Sequence, residues 1–224
     1  VHRPARRGTL ARGGRSVILH LDLGHAGKPP PHDRDRGAVR ADGVTEADLA
    51  QLYIAAATER ATMRGAQVRY PMTPSYYGAR QIEACRMAQL DPDTQHRYVA
   101  CHLNAGGGRY GLVGYDRRSK LGRALAEELA GALADACHWL GGVRAHGVGH
   151  DSAMTWERNV FATISRVLAG PANIAAVCFE PGFIEHDAAT TPEALAMYGI
   201  VLADVLTGNR QAVGGDVPPE RGVE

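Results

Sequence analysis

The chain has 224 residues, of which 45% are hydrophobic and 22% charged, and these values suit one globular domain with a core large enough to fold unaided. Its 25 basic and 24 acidic residues give a formal net charge of +1, so the charge balance indicates neither a nucleic-acid partner nor an anionic membrane. No apolar run approaches the ~18 residues of a transmembrane helix, and no signal peptide is visible. The ten histidines are a high count that favours a metal site.

Both ends of the chain are polar and offer little to bury. Residues 1–16 contain five arginines and three glycines, which predicts a flexible basic arm or, alternatively, a tail that binds an anionic polymer. Residues 209–224 are predicted to be a frayed polar tail. A single domain is therefore expected over residues 17–208.

The first element of that domain is an apolar run, Val17–Leu23, which is rich in β-branched residues and predicts a buried strand. The run ends at Gly24 and His25, where small residues on both sides of the histidine predict a sharp turn. In open α/β sheets, ligands and chemistry collect at the carboxyl ends of strands. His25 is therefore placed to contact a ligand.

A strong helix signal covers residues 45–65, after a loop rich in proline and charge. Thr45 is the expected N-cap, and Asp48 three residues later makes an imperfect capping box. This places Glu46 in the first turn, where a carboxylate complements the helix dipole. One face of the helix is apolar and is expected in the core: Leu49, Leu52, Tyr53, Ala56 and Ala57.

The rest of the chain alternates between strand and helix signals. Strands are predicted at residues 66–70, 97–103, 110–115 and 172–179, with a shorter one at 143–145. Helices are predicted at residues 78–90, 119–140 and Pro192–Leu206. In the helix at 78–90, four residues are expected inward, Ile82, Cys85, Met87 and Leu90, and three are expected on other faces, Arg80, Glu83 and Arg86. A polar loop is expected over residues 147–157, and the pattern at 159–168 fits either a helix or a buried strand.

This alternation predicts an α/β fold built on a single twisted β-sheet flanked by helices on both faces. Short connections between some strands allow antiparallel neighbours, so a mixed sheet is expected. Three of the predicted strands end in a polar residue: His25, His102 and Glu180. If these strands are neighbours, the three side chains lie along one edge of the sheet together with Glu46.

Such a group of side chains has the composition of a hydrolytic zinc site. Two neutral imidazoles and one carboxylate bind zinc and leave one coordination position open for water, whose pKa the metal lowers to about 7. A second carboxylate that does not bind the metal then acts as general base on that water and as acid to the leaving amine. In the alternative interpretation, the histidines are satisfied residues at the edge of the core, Glu46 complements the helix dipole, and Glu180 is a loop charge.

Four short motifs occur in order along the chain. The first, LDLGHAG, contains Asp22 and His25, and the second, VTEADLA, contains Glu46. The third, CHLNAGGG, contains His102, and the fourth, CFEPGFI, contains Glu180. In these motifs, and over roughly residues 17–206, the chain resembles the zinc-dependent N-acetylmuramoyl-L-alanine amidases of bacterial autolysins, sporulation amidases and phage endolysins.

The resemblance implies specific roles for the motif residues. His25, Glu46 and His102 would bind Zn²⁺, and Glu180 would be the catalytic acid/base that acts with a metal-activated water. The reaction would be hydrolysis of the amide between N-acetylmuramic acid and L-alanine in bacterial peptidoglycan, and residues 17–208 would be the amidase catalytic domain. The chain departs from the family's pattern at Ala26, where glycine is usual.

Residues 71–79 and 146–158 follow no pattern of the family and are expected to shape the substrate groove. Four residues are predicted to contact the substrate: Asn104, His146, His150 and Trp156. The alternatives are that the two histidines are simply exposed in a glycine-rich loop, or form a second metal site through their spacing, and that Trp156 is partly buried against the domain.

Two other functions compete with the amidase hypothesis. One is a peptidoglycan-binding module without activity, and the other is a zinc hydrolase of a different small amide. The amidase would act at the cell wall, either as a periplasmic or extracellular enzyme or as a phage lysin released from the host cytoplasm. Its partner would be the glycan strand with its stem peptide, and the basic arm, residues 1–16, is a candidate contact for an anionic wall polymer.

Overall fold

The structure is a computed structural model that describes residues 16–26, 35–71, 77–169 and 171–208. The predicted basic arm, apart from its last residue, and the predicted polar tail lie outside the described residues. Within them, no helix has both the length and the apolar composition needed to cross a membrane.

One six-stranded sheet organises the domain. Its strands are β1 (Val17–Leu23), β2 (Gln67–Arg69), β3 (Gln95–Cys101), β4 (Gly111–Asp116), β5 (Val143–Val148) and β6 (Ile174–Glu180). They lie in the order β2-β1-β3-β6-β4-β5. The first four strands of that order are parallel, whereas β4 runs antiparallel to β6 and parallel to β5. The predicted mixed sheet is therefore confirmed.

Helices cover both faces of this sheet, as predicted. They are α1 (Glu46–Met63), α2 (Tyr77–Leu90), α3 (Lys120–Ala136), α4 (Thr155–Ala162) and α5 (Pro192–Leu206), with 3₁₀ turns at Ser165–Ala169 and Asp187–Ala189. α1, α3 and α5 pack in the larger core cluster on one face, which contains Tyr53, Leu129 and Tyr198. α2, α4 and the first 3₁₀ turn pack in a smaller cluster on the other face, around Tyr98 and Cys178.

The start of α1 follows the sequence signal closely. The hydroxyl of Thr45 accepts a 3.3 Å hydrogen bond from the amide of Asp48, and the Asp48 carboxylate accepts one of 3.2 Å from the Thr45 amide. This reciprocal capping box satisfies amides that the first helical turn leaves unpaired. It also fixes the start of α1 and so the position of Glu46, the first residue of that helix.

The predicted inward face of α2 was wrong in part. Cys85 is buried as predicted, but Ile82 is 58% exposed and Leu90 78% exposed, whereas Arg80 is 3% exposed. The guanidinium of Arg80 donates a 2.5 Å hydrogen bond to the carboxylate of Asp22 on β1, so the face of α2 that carries Arg80 lies against the sheet. Leu52 of α1, expected in the core, is also exposed, at 54%.

The second half of the chain differs from the prediction mainly in the lengths of its elements. β5 continues to Val148, so His146 lies on a strand and not in the glycine-rich loop expected there. The ambiguous segment at residues 159–168 is helical, since α4 begins at Thr155 and a 3₁₀ turn follows it. β5 pairs with β4 over its full length, and this long-range pairing is what extends a weak local strand signal.

The order of the strands brings the polar strand ends together. β1, β3 and β6 are consecutive in the sheet and parallel, so His25, His102 and Glu180 emerge at the same edge. The condition on which the predicted site depended is therefore met.

Candidate functional site

His25 occupies the turn that follows β1. Its backbone has a φ of 60°, in the left-handed region that residues other than glycine rarely adopt. The preceding residue, Gly24, donates a 2.9 Å hydrogen bond to the carbonyl of Cys101, which ties the turn to the end of β3. The two strand ends are thus held side by side.

A carboxylate that the sequence pattern does not single out orients the His25 ring. Nδ1 of His25 lies 3.1 Å from Oδ1 of Asp35, and Nε2 lies 3.4 Å from Oε2 of Glu46. Carboxylates hold metal-binding histidines in this manner in many proteins. Asp35 lies in a charged loop without periodicity, so only its contact with His25 reveals its role.

Glu46 reaches the same place from the first turn of α1. Its Oε1 accepts a 2.8 Å hydrogen bond from Nδ1 of His102 and one of 3.3 Å from the amide of Leu103. Its Oε2 accepts a 3.2 Å hydrogen bond from the amide of Ala38. The carboxylate is therefore held between the two histidines.

The three side chains lie close enough to share one ion. The ligand atoms of His25, Glu46 and His102 all lie within 4.8 Å of one another. Glycines allow this approach: a Cβ at Gly24 would lie 2.4 Å from Cε1 of His102, and a Cβ at Gly37 would lie 2.4 Å from Oε2 of Glu46. Two imidazoles and one carboxylate at this separation fit the donor set of a zinc site.

Glu46 and His102 each favour the charged form of the other. Burial alone would raise the pKa of Glu46, but the hydrogen bonds from His102 and His25 hold it well below its ordinary value. Burial likewise disfavours a charged imidazole, but the hydrogen bond to Glu46 and the charge of that carboxylate raise the pKa of His102. A cation at this site would meet a carboxylate that is already ionised.

Glu180 is the last residue of β6 and faces the same space. Burial raises the pKa of its carboxyl to about 6; the charge of His102 opposes this rise and that of Glu46 adds to it. The thiol of Cys178, two residues earlier on the same sheet face, lies 3.8 Å from Oε1 of Glu180. A carboxyl that titrates near neutral pH can accept and return a proton within one reaction cycle.

These groups line one cavity of about 400 Å³. The polar residues at the strand ends and the first turn of α1 form one side of it: His25, Glu46, His102, Asn104 and Glu180. α4 forms another side, from which Trp156, Asn159 and Thr163 line the cavity. Of the four predicted substrate contacts, Asn104 and Trp156 are therefore in the cavity wall.

The other two predicted contacts lie apart from that wall. Among the described residues that line the cavity, neither His146 nor His150 is present. Nε2 of His146 lies 2.8 Å from Oε1 of Glu157, and His150, whose side chain is 76% exposed, lies 4.0 Å from Asp151. The described ranges contain no second group of three or more ligands, so the metal-like spacing of the two histidines does not assemble one there.

A buried polar network beneath the site was not expected from the sequence. The carboxylate of Asp22 accepts hydrogen bonds from the Arg80 guanidinium and from the Tyr98 hydroxyl, and Arg80 also donates to the carbonyl of Leu23 at 3.1 Å. All three side chains are at most 3% exposed. The network ties the last residues of β1 to α2 and β3, so it holds the strand end from which His25 emerges.

The fold is shared with solved N-acetylmuramoyl-L-alanine amidases. AmiC2 of Nostoc punctiforme superposes with a TM-score of 0.60 at 16% identity, over 87% of this chain and 97% of that one. The catalytic domain of CwlV from Bacillus (Paenibacillus) polymyxa var. colistinus gives 0.60 at 16% identity, over 86% and 97%. The catalytic domain of an endolysin targeting Clostridia Difficile gives 0.55 at 12% identity, over 87% and 98%. No family model and no curated protein sequence matches the chain.

These superpositions establish the architecture. The chain has the fold of the N-acetylmuramoyl-L-alanine amidase catalytic domain, as its four motifs predicted. Because these identities are between 12% and 16%, the superpositions establish the fold and not the chemistry.

Proposed function

We propose that the protein is a zinc-dependent N-acetylmuramoyl-L-alanine amidase that cleaves the amide between N-acetylmuramic acid and L-alanine in bacterial peptidoglycan. The observation that carries the proposal is the convergence of His25, Glu46 and His102 within 4.8 Å beside the buried carboxyl of Glu180. The amidase fold supports the choice of substrate. Residues 17–208 are proposed as the catalytic domain, which acts at the cell wall.

Each residue has a distinct role in this proposal. His25, Glu46 and His102 would hold a zinc ion, which when bound would polarise a water and lower its pKa to about 7. The carboxylate of Glu180 would accept a proton from the attacking water and donate it to the nitrogen of L-alanine as the C–N bond of the amide breaks. Asn104 and Trp156 contact the substrate from the cavity wall. The basic arm is proposed to contact an anionic wall polymer.

Mass spectrometry of fragments released from purified peptidoglycan, with and without a chelator, tests the proposal. We expect the wild-type protein to release free stem peptides that begin with L-alanine, and we expect the chelator to stop the release. Glu180→Gln should reduce the rate by about 10²- to 10⁴-fold while zinc stays bound, because it removes the proton-transfer group only. Glu193→Gln, at an exposed position in the first turn of α5, is the matched control.

The competing functions give different results in the same experiment. Binding to peptidoglycan without release of stem peptides would indicate a wall-binding module. Turnover of small acylated amino acids without release from the wall would indicate a different zinc hydrolase. Full activity of Glu180→Gln would show that the assigned acid/base role is wrong.

A further inference from the structure

α4 and its C-cap residue, Thr163, present a stripe of side chains to the candidate active site. Trp156, Asn159, Val160 and Thr163 all line the cavity, and their spacing of three, one and three residues places them on one face of a helix. This part of the chain follows none of the family's motifs. Any substrate selectivity that α4 confers therefore depends on residues particular to this chain and not on the family's motifs.

The position of α4 over the sheet is fixed by a close contact. A Cβ at Gly114 of β4 would lie 2.4 Å from Cγ1 of Val160, so the glycine makes room for the helix. The loop before α4 is fastened by Arg158, whose guanidinium donates 2.8 Å hydrogen bonds to the carbonyls of Ser152 and Ala153. The stripe is thus held on a rigid element next to Glu180.

Trp156 is the exposed aromatic residue of the stripe, and its ring packs against a side chain of β5. It is 39% exposed, and its ring centroid lies 5.2 Å from that of His146 on β5, with the planes tilted by 43°. His146 is itself held by Glu157, with 2.8 Å between Nε2 and Oε1. A half-exposed indole fixed in this manner offers a preformed apolar surface with little conformational freedom left to lose.

The chemistry of the cavity wall favours a neutral group with an apolar face. The residues of α4 that line the cavity, among them Trp156, Asn159 and Val160, are uncharged, so this side of the cavity offers no charged partner to the carboxylates of a stem peptide. A pyranose ring has an apolar C–H face that packs on an aromatic ring. Asn159 follows Trp156 by one helical turn and offers an amide that can hydrogen-bond an N-acetyl group.

We infer that Trp156 is the platform on which the sugar ring of N-acetylmuramic acid packs, and that His146 is a positioning residue that holds Trp156 in place. The inference rests on the proposed function, because it names the part of that substrate which α4 recognises. It also assigns His146 a role behind the groove, where the structure places it, and not in contact with substrate.

Binding to Trp156 can be read by fluorescence without turnover. The chain has two tryptophans, so Trp139→Phe leaves Trp156 as the single indole, and Glu180→Gln prevents cleavage. The zinc-loaded double variant is titrated with N-acetylmuramoyl-L-alanyl-D-isoglutamine and with the lactoyl-L-alanyl-D-isoglutamine that lacks the sugar. We expect the first ligand to change the fluorescence of Trp156 and the second to leave it unchanged.

Trp156→Ala tests the same contact through affinity, measured by calorimetry in the Glu180→Gln background. We expect the Kd of the muramoyl peptide to rise by about tenfold and that of the lactoyl peptide to stay the same. An equal change for both ligands, or no change for either, would overturn the inference. Failure of the wild-type protein to cleave muramoyl peptides would instead contradict the proposed function, and these binding experiments do not depend on cleavage.

His146→Ala separates positioning from catalysis. We expect the KM for muramoyl peptides to rise severalfold with kcat nearly unchanged, and the fluorescence anisotropy of Trp156 in the Trp139→Phe background to fall. His146→Gln, which can still hydrogen-bond Glu157, should restore part of both effects. His138→Ala, at an exposed position after α3, is the control. Unchanged KM and anisotropy in His146→Ala would refute the positioning role.

Discussion

Two pairs of histidines are positioned by the same two strands of this protein, one pair within the strands and one pair just after them. His25 and His102 follow the carboxyl ends of β1 and β3, whereas His20 and His96 lie within those strands. In the second pair, Nε2 of His20 lies 2.9 Å from Nδ1 of His96, and the rings stack with centroids 5.2 Å apart. The first pair therefore lies just beyond the end of the β1–β3 ladder, and the second lies within it.

Their electrostatic surroundings differ. Glu46 lies between His25 and His102 and raises the pKa of His102 against the effect of burial. No carboxylate is hydrogen-bonded to the His20 ring among the described contacts, and burial, with the charges of His96 and Arg69, lowers the pKa of His20 to about 4. The difference indicates that the carboxylate from the first turn of α1, and not the presence of two histidines, completes a donor set that could hold a cation.

The largest expected effect is on zinc content, which should fall when a histidine of the His25–His102 pair is replaced and should not fall when one of the His20–His96 pair is replaced. His25→Asn removes one of three proposed ligands and should leave less than about a tenth of the zinc bound per chain, with amidase activity at the background level. His20→Asn makes the same chemical change in the mid-strand pair and should keep the metal. The zinc content of folded protein, measured by plasma mass spectrometry, decides between them. Equal zinc in both variants would contradict the ligand assignment.

The second-largest expected effect is on the free energy of unfolding, and it comes from the pair of histidines within the strands, His20 and His96. The pKa of His20 is about 4 in the folded protein, against an ordinary value of 6.5 for an exposed histidine, so the unfolded chain binds the proton more readily. The neutral His20 ring therefore makes its full contribution to the free energy of unfolding above pH 6.5. This contribution is lost as the pH falls toward 4, and the loss is about 3 kcal/mol at most.

Urea unfolding at pH 7 and pH 4.5 measures this loss. In His20→Asn the free energy of unfolding should fall less over the same interval, because the titrating group is absent. Each protein is compared with its own value at pH 7, so any general destabilisation by the substitution cancels. Identical pH dependence in the two proteins would show that His20 does not titrate in this way.

The smallest expected effect is at the helix start that delivers Glu46. Thr45→Ala removes the capping hydroxyl and should lower the free energy of unfolding by about 1 kcal/mol in chemical denaturation. Zinc binding should persist, since Glu46 is also held by the amides of Leu103 and Ala38. Thr62→Ala, at an exposed position near the end of the same helix, should be neutral or slightly stabilising, because alanine is the better helix former.

Local sequence signals were sufficient where the local interactions agree with the fold. The strand Val17–Leu23 and the helix Pro192–Leu206 have the predicted bounds, because an apolar run and a Thr-Pro helix start are strong without help from distant residues. The alternation of strand and helix signals also indicated the α/β class, and the polar strand ends and the four motifs indicated the four residues that converge at the sheet edge. The adjacency of His25, His102 and Glu180 required only that β1, β3 and β6 be neighbours, and Glu46 joins them from the first turn of α1.

Contacts between distant segments account for the rest. The inward face of α2 depends on the ion pair between Arg80 and Asp22, 58 residues apart, and the orientation of His25 depends on Asp35 in an aperiodic loop. The length of β5 depends on its pairing with β4. The position of α4 over the sheet depends on the space that Gly114 leaves for Val160. Such contacts leave no periodic trace in the sequence, because burial and pairing partners are set by the packing of the whole sheet. The sequence alone therefore determined the residue types and the order of the motifs. Only the folded structure determined that Trp156 and Glu180 line the same cavity.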